Sequence, residues 1–372
     1  MCCVDDLKMR DVRRSIFLIT MMLVCVGIIM IYSASSIYAY SSMDDSLYFI
    51  KRHISYLVVG FAMMFFAMAC DLKKIQKLSK PIMFLTILLL LLVLIPHIGR
   101  ETAGARRWFK LGPISFQPSE LAKLAMIIYM ADFVSRKGMQ IKSFVQGYLP
   151  SMIMLGAVVG LVLLEPDLGT AITVSVIAFI ILYVGGVRPV YLLGTFLASL
   201  PLLYILLFRV AYRLKRIMVF MNPWADKRGA GFQIIQSFVA LGSGGPFGVG
   251  LGQSRQKLFY LPASHTDFIF SIIGEELGFV GVAAVIFLFG LFVWQGMKVV
   301  FKAIEPFERS LALGIVSLIA IETIINIGVT AGALPTKGLP LPFISYGGSG
   351  LIFHLTAIGL LLNVAKSSES VR

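Results

Sequence analysis

Ten stretches of this chain are apolar over lengths that cross a bilayer, and nothing else in the sequence narrows the fold as far. They fall at roughly 15–38, 53–70, 81–96, 118–134, 148–164, 168–186, 190–208, 267–295, 309–331 and 346–364; a spanning helix needs about 20 residues and tolerates roughly 17–25. The hydrophobic fraction of 58% lies well above that of soluble domains. The expected fold is an all-α polytopic membrane protein with ten transmembrane helices. Residues 1–372 form one membrane unit, with short tails at 1–14 and 365–372 and a large extracytoplasmic loop, 209–266, between helices 7 and 8. Met1 to Arg14 resembles the charged start of a signal peptide. The apolar run behind it is too long for an h-region and lacks a small-residue cleavage site, so it reads as a retained first helix. Cys2, Cys3, Cys25 and Cys70 cluster early and give neither a disulfide framework nor the paired spacing of a zinc site.

An even number of spans puts both termini on one side. Lys73, Lys74, Lys77 and Lys80, then Arg136, Lys137 and Lys142, then Lys298, Lys302 and Arg309, occupy loops on the side of the basic N-terminus. The positive-inside rule makes that side cytoplasmic. Two outer loops oppose the rule. The loop near 97–117 holds Arg100, Arg106, Arg107 and Lys110 against Glu101 alone. Loop 209–266 holds Arg209, Arg213, Lys215, Arg216, Lys227, Arg228, Arg255 and Lys257 against Asp226 alone. With a net charge of +14, this pattern fits anionic headgroups or a phosphate-bearing substrate at the outer leaflet. No nucleic-acid-binding motif is present.

The stretch Gln256–Gly278 begins as a basic, proline-broken segment and becomes a helical run at Asp267. A carboxylate at that junction reads either as an N-cap against the helix dipole or as a functional charge at membrane depth. At 100° per residue, Ser271, Gly274 and Gly278 follow the direction of Asp267. Such a small-residue stripe suits a close helix–helix contact better than a groove for a lipid chain. Glu275, deeper in the same helix, needs a partner there, and Glu322 and Asn326, four apart, read as interhelical glue.

Other polar groups gather on the outer side. Gln117-Pro118-Ser119-Glu120 looks like a helix start with Pro118 at the first position. Glu120 and Lys123 either pair with each other or face a cavity together and position an anionic head group. Asp167, in Glu-Pro-Asp-Leu-Gly at 165–169, either caps the next helix or joins Asp267 on the same face. Within the long loop, Arg213–Asn222 and Phe232–Leu241 have amphipathic patterns. Ser243–Gly252 fails both glycine-rich phosphate templates and reads as a flexible or re-entrant turn. Lys337 is the single charge of a Pro/Gly-rich outer loop, where it either reaches a phosphate or sits in a tight turn. His265 lies two residues before Asp267, placed to tune it or to bind substrate. The four histidines show no metal-ligand spacing, and a Ser-His-Asp hydrolase lacks its nucleophile elbow.

Taken together these stretches resemble the SEDS family (FtsW, RodA and SpoVE) of bacterial cell-wall synthesis. GARRW, FQPSELAK, EPDLGTA, GxGFQIIQS, LPASHTDFIFSIIGEELG and GLPLPFISYGGSG occur in family order through nearly the whole chain. RRWF–FQPSE and GLG–SRQK are more similar to the FtsW/SpoVE branch than to RodA. Ala263-Ser264 departs from the acidic residue that the family usually carries before the histidine.

The resemblance implies a peptidoglycan glycosyltransferase of the bacterial plasma membrane, with both termini cytoplasmic. It would polymerise lipid II beside a class B penicillin-binding protein and other divisome proteins, in division or spore cortex synthesis. It also implies that Asp267 is the catalytic acid residue and that Glu120, Lys123 and Asp167 matter functionally. The chemistry needs a carboxylate to take a sugar hydroxyl's proton and cations to receive a departing lipid pyrophosphate. Asp267 is then the general base. Arg106, Arg107, Lys123, Arg213, Arg216 and Lys257 are candidate phosphate contacts. A divalent cation (Mg²⁺ or Mn²⁺) can assist, although the sequence shows no dedicated ligand set. The competing readings are a lipid II flippase and a noncatalytic division scaffold.

Overall fold

The structure, a computed structural model, describes residues 2–102, 105–111, 114–227, 229 and 231–370. Gly104 of the GARRW stretch and Arg228 of the long loop lie outside the described residues. The chain is mostly helical: α1 Cys2–Met43, α2 Tyr48–Ala69, α3 Leu72–Lys77, α4 Ser79–Leu94, α5 Pro118–Lys137, α6 Leu149–Leu164, α7 Leu168–Val184, α8 Pro189–Phe208, α9 Ala211–Met221, α10 Phe232–Ser243, α11 Ile269–Lys302, α12 Pro306–Thr330 and α13 Ser349–Ser370.

Every apolar run falls on one of these helices. Among the described residues, seven helices are long and apolar enough to cross a membrane: Met9–Met43, Tyr48–Ala69, Phe144–Leu164, Pro189–Phe208, Ile269–Lys302, Pro306–Thr330 and Ser349–Glu369. Ser79–Leu94 and Leu168–Val184 are apolar but shorter. Helix α5 falls short in apolarity, since it carries Glu120, Lys123, Asp132, Arg136 and Lys137.

The fold is not purely helical. The basic loop near 97–117 contains a three-stranded antiparallel sheet, β1 Arg100–Thr102, β2 Ala105–Leu111 and β3 Ile114–Phe116. Phe109 and Phe116 pair across β2 and β3 with their rings 6.4 Å apart. Aromatic residues on a short pleated ribbon are a strand signal, one that the basic charge of this loop obscures in the sequence.

Helix α5 lies at the centre. Its residues Pro118–Val134 are buried save Leu121 and Tyr129, which are half-buried. By contrast α8 has no buried residue. A helix buried on all sides must satisfy its charges internally. Lys123 does so between Glu120, at 2.8 Å, and Glu322 of α12. Glu322 in turn lies 2.6 Å from His354 of α13.

The small-residue stripe of α11 is a packing surface. Ser271 Oγ lies 2.6 Å from Ser237 Oγ of α10, and a β-carbon on Gly274 would lie 2.5 Å from Leu241. Gly278 has φ +66°, a break inside α11, and a β-carbon there would lie 2.2 Å from the Gly248 nitrogen. That position excludes any side chain. The amphipathic stretches of the long loop form α9 and α10, as their patterns predict.

Candidate active site

Asp267 ends a non-helical segment. The N-cap of α11 is Phe268, and no side chain caps this helix end. The capping reading of Asp267 therefore gives way: its carboxylate points into a cavity of about 490 Å³. The walls come from separate parts of the chain: Arg107 from β2, Gln117 and Glu120 from the start of α5, Asp167 from the α6–α7 turn, and Gly338 and Tyr346 from the loop before α13.

A smaller cavity of about 170 Å³ adjoins the first and shares Arg107, Asp167 and Gly338 with it. Arg213 and Arg216 of α9, together with Lys337, line this second space, so four cations there face the single carboxylate of Asp167. The geometry is a half-buried carboxylate with a cationic recess beside it.

Local hydrogen bonds explain how each group is aimed. Arg107 donates from Nε to Glu165 O at 2.6 Å and from Nη2 to Pro166 O at 2.8 Å. It thereby fixes the turn that carries Asp167. Asp167 caps α7, accepting from Thr170 N and from Thr170 Oγ1, both at 3.0 Å, and still lines both cavities. Arg216 donates to Thr336 O at 3.0 Å, while Arg213 donates to Leu206 O at 3.0 Å.

The electrostatics follow from burial. Loss of water pushes the Asp267 carboxyl up to about 6, against the pull of Arg216. Burial, reinforced by Asp167, pushes Glu165 up to about 8, while Arg107 and Ser119 pull it down. At neutral pH the Glu165 carboxyl is thus mainly protonated. Burial lowers Lys337 and Arg216, with Asp167 and Asp267 respectively opposing.

Four expected site residues do not line either cavity. Arg106, next to Arg107 on a strand whose successive side chains diverge, pairs with Glu101 at 3.4 Å. Lys123 is buried and bound by Glu120 and Glu322, so the pairing reading of Glu120–Lys123 holds although Glu120 itself reaches the cavity. Lys257 bonds Glu276 Oε1 at 2.9 Å, Ser33 Oγ at 3.1 Å and Gly252 O at 2.7 Å. Its segment folds back to satisfy the acids inside α11: Arg255 N reaches Glu275 at 2.9 Å, and Ser254 Oγ donates to the same carboxylate.

His265 is the fourth. Its ring lies among Phe49 at 4.6 Å, Tyr38 at 5.8 Å and Tyr346 at 6.0 Å, and burial holds it at about 4, neutral at pH 7. It therefore brings no charge to Asp267. Conversely Arg52 and Arg100 line the larger cavity. Arg52 could have been found as a basic residue at the start of an apolar span. Among the described residues no group of three or more His, Cys, Asp or Glu comes together to hold a metal ion.

The sequence matches the FtsW/RodA/SpoVE cell cycle protein model over residues 13–370. It is 46% identical to a probable peptidoglycan glycosyltransferase FtsW of Geobacter metallireducens, covering 96% of each chain. It is 43% identical to stage V sporulation protein E of Bacillus subtilis, covering 95% of this chain and 96% of the other. Among solved structures, a chain of a peptidoglycan synthase complex that coordinates polymerization and crosslinking superposes with a TM-score of 0.78 at 32% identity. It covers 95% of this chain and 97% of that one. The rod shape determining protein RodA of Thermus thermophilus gives 0.70 at 29% identity, covering 95% and 96%.

Proposed function

We infer, for a chain that belongs to the FtsW/RodA/SpoVE family, that it is a peptidoglycan glycosyltransferase and polymerises lipid II at the outer face of the bacterial plasma membrane. The observation that carries this reading is the placement of Asp267: a half-buried carboxylate in one cavity, joined through Arg107, Asp167 and Gly338 to a second cavity rich in cations.

In the reaction, a sugar hydroxyl of one substrate attacks the anomeric carbon of another. Asp267 takes the hydroxyl proton as the new glycosidic bond forms. The bond from the anomeric carbon to the lipid diphosphate breaks, and its electron pair leaves with the phosphate oxygen. Arg107, Arg213, Arg216 and Lys337 are positioned to receive that charge in the adjoining recess. One base and one direct displacement give inversion, so an α-linked donor yields a β-linked glycan. A divalent cation, Mg²⁺ or Mn²⁺, would come with the diphosphate rather than rest on a carboxylate set of the chain; no step here depends on it.

The same reading places ten spans in the membrane, both termini in the cytoplasm and loop 209–266 outside. Its partner is a class B penicillin-binding protein that crosslinks the nascent strand, a pairing supported by the likeness to a synthase complex of joined polymerization and crosslinking. Labelled lipid II, given to the purified protein with and without that partner, tests the reading. Glycan polymer is the expected product. Movement of lipid II across liposomes with no polymer in either condition would instead establish a transporter.

A further inference from the structure

Asp267 lies two residues before α11, so the helical hydrogen-bond ladder does not set its direction. Contacts from outside the segment do. Three successive carbonyls are each held: His265 O by Tyr346 N at 3.0 Å, Thr266 O by Ser345 Oγ at 2.6 Å, and Asp267 O by Asn326 Nδ2 at 3.0 Å. The same Asn326 amide also donates to Leu339 O at 2.8 Å. The same Ser345 hydroxyl accepts from Leu341 N at 2.8 Å.

Two side chains thus each bind both loops that meet at the cavity, the one ending in Asp267 and the one containing Gly338. Asn326 is 2% exposed and Ser345 is 3% exposed, and neither lines a cavity. They cannot touch substrate directly. Asn326 stands on α12 one turn beyond Glu322, whose carboxylate is itself bound to Lys123 of α5. The clamp is therefore anchored to the most buried part of the molecule.

Building on the glycosyltransferase reading above, we propose that Asn326 and Ser345 are positioning residues, which fix the distance and direction of the Asp267 carboxylate relative to the Gly338 wall of the cavity. A general base works only when held within hydrogen-bond reach of its proton, and small misplacements are costly in rate. Loss of either clamp should leave the cavity and its cations in place while Asp267 wanders. The effect should fall on kcat and spare KM.

The test uses the full chain with its transpeptidase partner and compares wild type with Asn326→Ala, Ser345→Ala and Ser345→Thr. Both alanine variants should lose about tenfold or more in kcat, with KM for lipid II within about threefold. Ser345→Thr retains the hydroxyl and should stay near wild type. Hydrogen–deuterium exchange should quicken at residues 264–268 in the alanine variants. If Asn326→Ala fails to fold, the Ser345 pair carries the test. Folded alanine variants with wild-type kcat, a loss confined to KM, or unchanged exchange at 264–268 would overturn the proposal. Exchange needs no turnover: if it quickens while wild type makes no polymer, the clamp stands and the glycosyltransferase reading falls.

Discussion

The α-carbon of Gly338 faces the Asp267 carboxylate so closely that a β-carbon there would lie 3.2 Å from Oδ2. Gly338 also lines both cavities. A hydrogen in place of a side chain leaves room for the carboxylate on the wall of the larger cavity, beside a residue that both cavities share. The backbone of one loop thereby limits where the side chain of a residue 71 positions earlier in the chain can stand.

Gly338→Ala should test this contact directly. The added methyl must displace Oδ2 by a few tenths of an ångström or rotate the carboxylate away. A displacement of about 1 Å can cost roughly 10²-fold, so we expect polymerisation to fall about tenfold with the melting temperature little changed. Unaltered polymerisation by the alanine variant would mean that the carboxylate's position at Gly338 is unimportant.

The pH dependence has a defined sign. A base must be ionised to act, and burial pushes Asp267 up from 3.8 to about 6. The rate kcat/KM should therefore be steady above about pH 6 and fall towards tenfold per pH unit below it. Arg216 opposes the burial, so Arg216→Gln should shift this acid limb to higher pH. An acid limb near pH 4 would show an Asp267 exposed to water.

Lys257 and Arg213 should separate stability from activity. Lys257 is buried against Glu276, and breaking a buried pair costs about 3–5 kcal/mol. Lys257→Met should lower the melting temperature yet preserve turnover per folded molecule. Arg213 lines the cationic recess and is half-buried. Arg213→Gln should leave melting nearly unchanged and cut kcat/KM about tenfold, the worth of one charge-assisted hydrogen bond. The opposite pattern, with Lys257 affecting turnover alone, would return that lysine to the site.

The helices were legible because a spanning segment is announced by composition over about 20 residues. Sheet β1–β3 was not, since strands of 3 and 7 residues leave a weak period, and the charge of Arg100, Arg106, Arg107 and Lys110 dominates the stretch. Asp267 stood out as an acid at a helix junction. Arg107 and Arg106 are equivalent in sequence; only the strand's alternation and the carbonyls of Glu165 and Pro166 select Arg107. Lys257 was misleading for a related reason. It shares the basic charge of the long loop, but the acids at Glu275 and Glu276 draw its segment inward. Clamp residues such as Asn326 and Ser345 act through tertiary contacts that no local pattern announces.

The most direct test is glycan formation from labelled lipid II by the purified protein with the proposed transpeptidase partner, wild type against Asp267→Asn. The amide keeps the size of the side chain but cannot serve as a base. Wild type should give polymer, and a variant of unchanged fold should lose about 10²-fold or more. Equal polymer from both proteins would contradict the role of Asp267 as base and leave it as no more than a half-buried polar residue at the mouth of α11.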